Sequence, residues 1–330
     1  MKALVTGGGG FLGFRIAQML HDRGDEVTVF GRHHYPHVEK AGIPAVVADI
    51  RDGEALRRAF AGMDTVFHVA AIPGIWGRKR TFWEINVVGT RRVLETCRAC
   101  GVPKLVYTSS PSVVFGDQPL CGVDESQPYP DRYQAVYPET KAAAERMVVA
   151  ANRQELTTIS LRPHLIWGPG DPHLIPRIVK RARAGRLIQV GTGENLVDIT
   201  YIDNAASAHI LACDALKVGA PCAGGVYFIS QGEPVKLWSW ITELLALLGV
   251  PGVRRRISRK TAYFVGTILE TSYRLLGIHS EPRMTRFLCS QLAQSHYFDI
   301  SAARRDLGYV PHVSTAEGMK QLVADFRAHS

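Results

Sequence analysis

Long hydrophobic runs, cysteines and signal-peptide features are all scarce in this chain of 330 residues. No apolar run approaches the ~20 residues that a membrane-spanning helix needs. The six cysteines lie at positions 97, 100, 121, 213, 222 and 289, without the spacing of a disulfide framework or a zinc site. Lys2 leads directly into a short apolar run, unlike a secretory leader. We therefore expect a cytoplasmic protein with reduced thiols and no bound metal.

Acidic side chains are also outnumbered, with 30 Asp and Glu residues against 39 Lys and Arg and a net charge of +9. Such a charge suits nucleic acid, an anionic membrane surface or an anionic small molecule. The densest basic stretch, residues 254–260, has no interleaved aromatic residues and no nucleic-acid motif. We therefore expect no nucleic-acid binding, and we expect an anionic substrate or membrane surface to account for the charge.

Glycine, in contrast, is concentrated near the N-terminus in Thr6-Gly-Gly-Gly-Gly-Phe-Leu-Gly13. An apolar run at 3–5 precedes this turn, and helical periodicity follows at 14–20. Strand, glycine turn and helix together predict a dinucleotide site, with the pyrophosphate at the helix N-terminus. The spacing also fits Gly8-x-Gly10-x-x-Gly13, so it leaves the subfamily open. The residues that we expect to contact the cofactor here are Gly7, Gly10, Phe11, Leu12 and Gly13.

Strand-like and helix-like segments alternate through the first half of the chain. Apolar runs at 3–5, 26–30, 44–48, 65–70, 104–108 and 158–162 predict buried strands, with helices at 14–20, 54–60, 86–100 and 139–152. This alternation predicts an α/β fold with a doubly wound parallel sheet of the Rossmann type. We predict a cofactor domain over 1–168, to which 197–232 return, and a smaller, mostly helical substrate region at 169–196 and 233–330.

The tip of the second strand favours NADP(H) over NAD(H). A site that prefers NAD usually carries a carboxylate there, whereas this chain has Gly31-Arg32. An arginine pairs well with a 2′-phosphate. Asp49 and Ile50, after the third strand, are expected to flank the adenine, and Ala70 and Ala71, after the fourth, to let the backbone approach a ribose.

Tyr137-Pro-Glu-Thr-Lys141 opens a predicted helix and supplies a phenol and an amine on one side of it. A tyrosine whose pKa is lowered by a nearby ammonium can act as acid or base. The strand end Tyr107-Thr-Ser-Ser-Pro-Ser112 supplies hydroxyls for a substrate oxygen. Ser110 is our choice for that role, with Ser109 and Ser112 as alternatives.

These motifs together resemble the extended short-chain dehydrogenase/reductase superfamily, and within it the 3β-hydroxysteroid dehydrogenase-like branch. The resemblance extends over the whole chain and includes Leu161-Arg-Pro163, Trp167-Gly-Pro-Gly-Asp171 and Tyr201-Ile-Asp-Asn-Ala205. It implies that Pro163 passes the nicotinamide. It also implies that Tyr137 donates a proton, that Lys141 binds the nicotinamide ribose and lowers the Tyr137 pKa, and that Ser110 polarises the carbonyl.

A narrower resemblance is to the bacterial 2-alkyl-3-oxoalkanoate reductases of long-chain olefin biosynthesis. It is carried by segments 107–113, 161–171, 197–206 and 305–311. It implies NADPH-dependent reduction of a long-chain β-keto acid bearing an α-alkyl branch, alongside other enzymes of the olefin pathway. We also expect a homodimer. Alternatives are a steroid or sterol dehydrogenase, a nucleotide-sugar epimerase or dehydratase, and a non-catalytic NADP sensor of the same fold.

Residues 261–276 carry apolar side chains at near-helical spacing, including Tyr263, Phe264, Ile268 and Leu275, just after the basic stretch. We expect this segment to form an apolar tunnel or lid for the substrate chain. A helix packed on the core is the plainer alternative, and peripheral contact with a membrane surface is a third.

Overall fold

A computed structural model describes residues 1–328 of the chain. In chain order, its strands are β1 (Lys2–Thr6), β2 (Glu26–Gly31), β3 (Ala45–Val47), β4 (Thr65–His68), β5 (Lys104–Thr108), β6 (Leu120–Val123), β7 (Thr157–Pro163), β8 (Ile166–Trp167), β9 (Ile188–Val190), β10 (Leu196–Val197), β11 (Thr200–Tyr201), β12 (Val226–Ile229), β13 (Val235–Lys236), β14 (Arg255–Ile257) and β15 (His296–Phe298).

The helices are α1 (Phe11–Asp22), α2 (Pro36–Lys40), α3 (Gly53–Phe60), α4 (Lys79–Phe82), α5 (Thr90–Ala99), α6 (Val136–Ala151), α7 (Leu174–Arg183), α8 (Ile202–Ala215), α9 (Leu237–Leu247), α10 (Arg259–Leu275), α11 (Arg286–Ala293), α12 (Ser301–Leu307) and α13 (Thr315–Ala328). A π-helical turn, Trp83–Gly89, joins α4 to α5, and a 3₁₀ turn spans Pro111–Val114.

Seven parallel strands form the central sheet, in the order β12-β7-β5-β4-β1-β2-β3. The chain runs from β1 outward to β3 and then returns to the other side of β1 at β4. This reversal opens a crevice beyond the carboxyl ends of β1 and β4, where ligands bind in such sheets. The predicted doubly wound parallel sheet is confirmed.

Successive residues of the central strands point to opposite faces of the sheet, and both faces are covered. Val5 of β1 packs in the same layer as Ile16 of α1, whereas Leu4 packs in the other layer with Val93 of α5. All four side chains are fully buried. The uniformly apolar strand therefore follows from burial on both sides.

Short strands appear in the C-terminal half, where the sequence indicates mostly helices and loops. Strands β13, β10, β15 and β6 form a small second sheet, and β11 pairs with β8 and β14 with β9. Strand β6 comes from the first half of the chain, and β12 joins the central sheet beside β7. Most of these strands have two or three residues, too few to show a period of two. The division into two domains stays a prediction.

Candidate functional site

The glycine turn forms a backbone cradle between β1 and α1. Gly7 has a φ of +70°, in the left-handed region, and its N–H donates to the Phe30 carbonyl at 2.7 Å. A Cβ on Gly7 would lie 2.8 Å from the Ala70 backbone, and one on Gly13 would lie 2.3 Å from the Gly7 oxygen. No side chain caps α1, and no acidic residue lies in its first turn. The helix start is therefore suited to an anionic group.

A cleft of about 450 Å³ lies beside this cradle at the carboxyl edge of the sheet. The predicted site residues that line it are Gly7, Gly10, Phe11, Leu12, Gly13, Arg32, Ile50, Ala70, Ala71, Ser110, Tyr137, Lys141 and Pro163. Asp49 is not among the lining residues. Its carboxylate accepts two hydrogen bonds of 2.9 Å from the Arg51 guanidinium, which lowers its pKa.

Tyr35 is a lining residue that the sequence reasoning missed. Its ring lies so close to the glycine turn that a Cβ on Gly9 would fall 2.2 Å from it, and one on Gly31 would fall 2.9 Å from it. Arg32 is exposed at the mouth of the cleft and has no ion-pair partner within residues 1–328. The glycine at position 31, which makes room for a ring, is the signal that could have indicated Tyr35.

Tyr137 and Lys141 lie one turn apart at the start of α6, both facing the cleft. The Lys141 ammonium is buried, donates to the Thr108 carbonyl at 2.6 Å and lies 4.2 Å from the centre of the Tyr107 ring. Burial lowers the pKa of Lys141 to about 7, although the Glu145 carboxylate one turn further along α6 opposes this shift.

The expected lowering of the Tyr137 pKa is not what the cleft produces. Burial raises the pKa of Tyr137 to about 12, and a hydrogen bond with Ser110 only partly offsets this. The nearby Lys141 ammonium does not reverse this rise. Tyr137 is consequently a neutral phenol at neutral pH, the protonation state that a proton donor needs.

The three candidate serines differ in position. The Ser110 hydroxyl faces the cleft, bonds the Ser112 hydroxyl at 2.9 Å and accepts from the Ser112 N–H at 3.2 Å. Ser109 also lines the cleft, but its hydroxyl is buried without a hydrogen-bond partner in the described chain. Ser112 is buried in the 3₁₀ turn and does not line the cleft. Ser110 is thus the serine that meets Tyr137.

A buried hydrogen-bond chain ties β1 to β4 and to the π-helical turn behind the cleft. The Thr6 hydroxyl lies 2.7 Å from His68 Nδ1, and His68 Nε2 lies 2.9 Å from the Thr90 hydroxyl. Thr90 donates to the Asn86 carbonyl at 2.7 Å, so His68 Nε2 donates to Thr90 and Nδ1 accepts from Thr6. Burial lowers the pKa of His68 to about 3, which keeps the ring neutral.

The same hydrogen-bond chain continues to α6, which carries Tyr137 and Lys141. The Asn86 amide donates to the Thr140 hydroxyl at 3.1 Å, and Thr140 donates to the Tyr137 carbonyl at 3.0 Å. Asn86 lies in the π-helical turn, which is a frequent feature of functional sites. The sequence carries no motif for the members of this hydrogen-bond chain, so only the fold reveals it.

The expected substrate tunnel through 261–276 is wrong for the residues chosen to line it. Phe264, Ile268 and Leu275 point away from the protein on the outer face of α10. The opposite face of α10 lines a second cavity of about 430 Å³, through Glu270, Tyr273 and Arg274. This second cavity also contacts Ala135, Val136 and Glu139 around the start of α6, next to Tyr137.

A tryptophan loop closes the outer side of the second cavity. The Trp76 indole N–H donates to the Ile278 carbonyl at 3.1 Å, and the Arg274 guanidinium lies 5.5 Å from the indole centre. Gly74 and Gly77, on either side of Trp76, have φ values of +114° and +143°, which few other residues adopt.

None of the helices within residues 1–328 is long and apolar enough to cross a bilayer.

Comparisons with known proteins agree with this geometry. A profile of the 3-beta hydroxysteroid dehydrogenase/isomerase family matches residues 4–258. The 2-alkyl-3-oxoalkanoate reductase of Stenotrophomonas maltophilia is 49% identical over 99% of this chain and 100% of its own. That of Shewanella oneidensis is 47% identical over 98% and 85%. The mouse sterol-4-alpha-carboxylate 3-dehydrogenase, decarboxylating, is 34% identical over 98% and 91%.

Solved structures match over the whole chain. UDP-glucose 4-epimerase of Thermus thermophilus, in complex with NAD, matches with a TM-score of 0.76 and 25% identity. The match covers 100% of this chain and 100% of the epimerase chain. UDP-glucuronic acid 4-epimerase of Bacillus cereus, also in complex with NAD, has a TM-score of 0.77 and 21% identity over 100% of this chain and 99% of its own. The second likeness bears on the fold alone.

Proposed function

Because the chain belongs to the 3-beta hydroxysteroid dehydrogenase/isomerase family and is an oxidoreductase acting on CH–OH and C=O groups, we propose that it reduces a β-keto acid with NADPH. The product is the 3-hydroxy acid, and the substrate a long-chain 2-alkyl-3-oxoalkanoic acid. One observation carries the proposal: a single cleft holds the glycine cradle together with Ser110, Tyr137 and Lys141. The bacterial relatives at 49% and 47% identity support the choice of substrate.

The residues around the cradle fit a nicotinamide dinucleotide. Glycine at positions 7 and 13 lets the turn close tightly at the start of α1, because a Cβ would meet the Ala70 backbone or the Gly7 oxygen, and a pyrophosphate needs such a turn at a helix start. Bound there, NADPH would supply the hydride. Arg32, exposed and without an ion-pair partner in the described part of the chain, would bind the 2′-phosphate, since Gly31 leaves no carboxylate at that strand tip.

The three catalytic side chains then divide the remaining chemistry. Ser110 donates a hydrogen bond to the substrate carbonyl oxygen, and Tyr137 Oη gives that oxygen its proton. The Tyr137 pKa of about 12 keeps the phenol protonated before reaction. Lys141, held by the Thr108 carbonyl, positions the cofactor ribose beside the phenol.

The second cavity is the proposed site for the acid itself. It adjoins the first turn of α6 and is lined by the cationic side chains Arg78, Lys79 and Arg274. Lys79 is paired with Glu139 at 2.9 Å and Arg274 with Glu270 at 3.5 Å, whereas Arg78 has no ion-pair partner within residues 1–328. Arg78 is therefore the cation available to a carboxylate.

The test is the rate of NADPH oxidation with a panel of soluble substrates. We expect turnover with a 2-alkyl-3-oxoalkanoate, and at least about tenfold lower kcat/KM with a 3-ketosteroid or with the same ketone lacking its carboxylate. Equal or higher kcat/KM with the steroid would assign the chain to sterol chemistry instead.

We also propose, from the similarity to the same relatives, that the hydroxy acid passes to enzymes that convert it to an olefin. Growth-independent reconstitution of hydrocarbon formation from the β-keto acid would test that step, and olefin yield unchanged without this chain would contradict it.

A further inference from the structure

Helix α10 presents an apolar stripe to solvent. Phe264, Ile268 and Leu275 are 65%, 49% and 82% exposed. Their separations of four and seven residues place them along one line of a helix with about 3.6 residues per turn. Thr271 fills the remaining position of this line without adding charge. We call these three apolar side chains the outer stripe.

The opposite face of α10 fixes the direction in which the outer stripe points. A Cβ on Gly266 would lie 2.9 Å from the Thr285 backbone, so α10 and the start of α11 are in close contact. The buried Glu270 carboxylate accepts from the Arg286 backbone N–H at 2.7 Å and from its guanidinium at 2.9 and 3.0 Å. Rotation of α10 to bury the outer stripe would break these contacts. The stripe is therefore exposed because of how the helix is anchored.

A cluster of cationic residues directly precedes the outer stripe in the sequence. The basic run comprises Arg254, Arg255, Arg256, Arg259 and Lys260, all of them exposed. None of the five has an ion-pair partner among residues 1–328. Between positions 254 and 276 the only acidic residue is Glu270, which is buried and paired. This stretch therefore presents apolar and positive side chains, and the Glu194 carboxylate, which lies near Arg256, is already paired with Lys236 at 2.6 Å.

We propose that the outer stripe and the basic run dock on the surface of an anionic lipid bilayer. In that position α10 lies along the interface, with the apolar side chains at the acyl boundary and the basic side chains on the headgroup phosphates. A second copy of the chain fits less well, because parallel pairing of two outer stripes would bring two basic runs together and antiparallel pairing would leave both runs without an opposite charge. A single layer of anionic headgroups satisfies both features at once.

Docking would also have a consequence for the substrate, and this consequence alone rests on the proposed function. Glu270, Tyr273 and Arg274 of the same helix line the second cavity. A long-chain acid that partitions into the bilayer would then meet the cavity at the interface. The docking itself requires no assumption about the reaction.

The experiment is co-sedimentation of the full-length protein with lipid vesicles, at low and high salt. One set of vesicles contains phosphatidylcholine alone, and the other contains added phosphatidylglycerol. We compare wild type, the stripe variant Phe264→Ser/Ile268→Ser/Leu275→Ser and the charge variant Arg254→Gln/Arg255→Gln/Arg259→Gln. The matched control is Val218→Ser/Val310→Ser, which changes apolar side chains that are 59% and 65% exposed elsewhere on the surface.

We expect wild type to bind the anionic vesicles at least about tenfold more tightly than the neutral ones, and high salt to reduce that preference. The stripe variant should lose about tenfold or more of its affinity for the anionic vesicles, and the control should match wild type. The charge variant should lose the preference for anionic lipid. Because it keeps every apolar side chain of α10, it answers the question even if the stripe variant fails to fold.

Three results would overturn the proposal. One is wild-type binding that is absent or equal for the two vesicle types. Another is a folded stripe variant that binds as wild type does. The third is a stripe variant that keeps vesicle binding but changes its oligomeric state in sedimentation velocity, which would make this surface a contact between copies.

Discussion

The cleft beyond β1 and β4 and the outer face of α10 place side chains in opposite surroundings. In the cleft and directly behind it, polar groups such as Lys141 and His68 are buried, and each is held by a hydrogen bond shorter than 3 Å. On α10, Phe264 and Leu275 lie in solvent. Neither arrangement favours the folded state by itself, since burying charge costs free energy and exposing apolar surface forgoes it. The difference corresponds to the two ligands proposed above, a dinucleotide with its substrate in the cleft and a lipid surface at α10.

The largest expected effect concerns a buried ion pair behind the catalytic helix. The Glu145 carboxylate binds the Arg162 guanidinium at 2.7 and 2.9 Å, and both side chains are almost fully buried. Glu145→Gln would leave the Arg162 charge without compensation, which should lower the free energy of unfolding by about 3–5 kcal/mol. Urea unfolding measures this change.

The control for that prediction is the exposed pair of Arg92 and Glu95 on α5, at 3.1 Å. Glu95→Gln should change the free energy of unfolding by no more than about 0.5 kcal/mol, because solvent screens exposed pairs. Similar losses for the two variants would mean that burial does not distinguish the polar groups behind the cleft from surface charges.

The next prediction concerns Arg32, which lines the cleft but is exposed to solvent. Arg32→Gln removes the proposed charge-assisted contact with the 2′-phosphate, so NADPH affinity should fall at least about tenfold. NADH, which lacks that phosphate, is the internal control, and its affinity should stay within about twofold. Isothermal titration with both cofactors gives the answer, and a wild type that binds NADH as tightly as NADPH would refute the assignment of NADP(H).

The smallest expected effect is on the apolar side. Phe264→Ala/Leu275→Ala removes side chains that contact mainly solvent, so the free energy of unfolding should change by about 0.5 kcal/mol or less. Reduction of a short, soluble β-keto acid should also be unchanged. A loss of several kcal/mol, measured by the same urea titration, would show that the outer stripe is packed in solution and would remove the contrast between the two regions.

Local backbone requirements explain why much of the cleft could be predicted from sequence. Gly7 and Gly13 are glycines because any Cβ would collide with the neighbouring backbone, so the turn is visible in one short motif. Tyr137 and Lys141 share one helical turn, and their spacing carries the same information. The inner strands of the first half were likewise predictable as apolar runs, because both faces of the sheet bury them.

The rest depends on contacts between distant segments. Asn86 and His68 act through partners that the fold brings together, and neither belongs to a motif. Helical periodicity on α10 showed two faces but not which one meets the core. The buried face there uses the small residues Ala262 and Gly266 for close packing, and the larger apolar residues lie outside.

The oligomeric state is a separate matter, and the expected homodimer stays a prediction.

The most direct test of the central claim is Tyr137→Phe, measured for NADPH binding and for turnover of a 2-alkyl-3-oxoalkanoate. The substitution removes one hydroxyl from a partly buried ring beside Ser110. We expect NADPH affinity within about twofold of wild type and kcat lower by ~100-fold or more, the contribution expected of a positioned general acid. A folded variant that binds NADPH and retains kcat within about threefold of wild type would contradict the claim that this cleft is the reductase site.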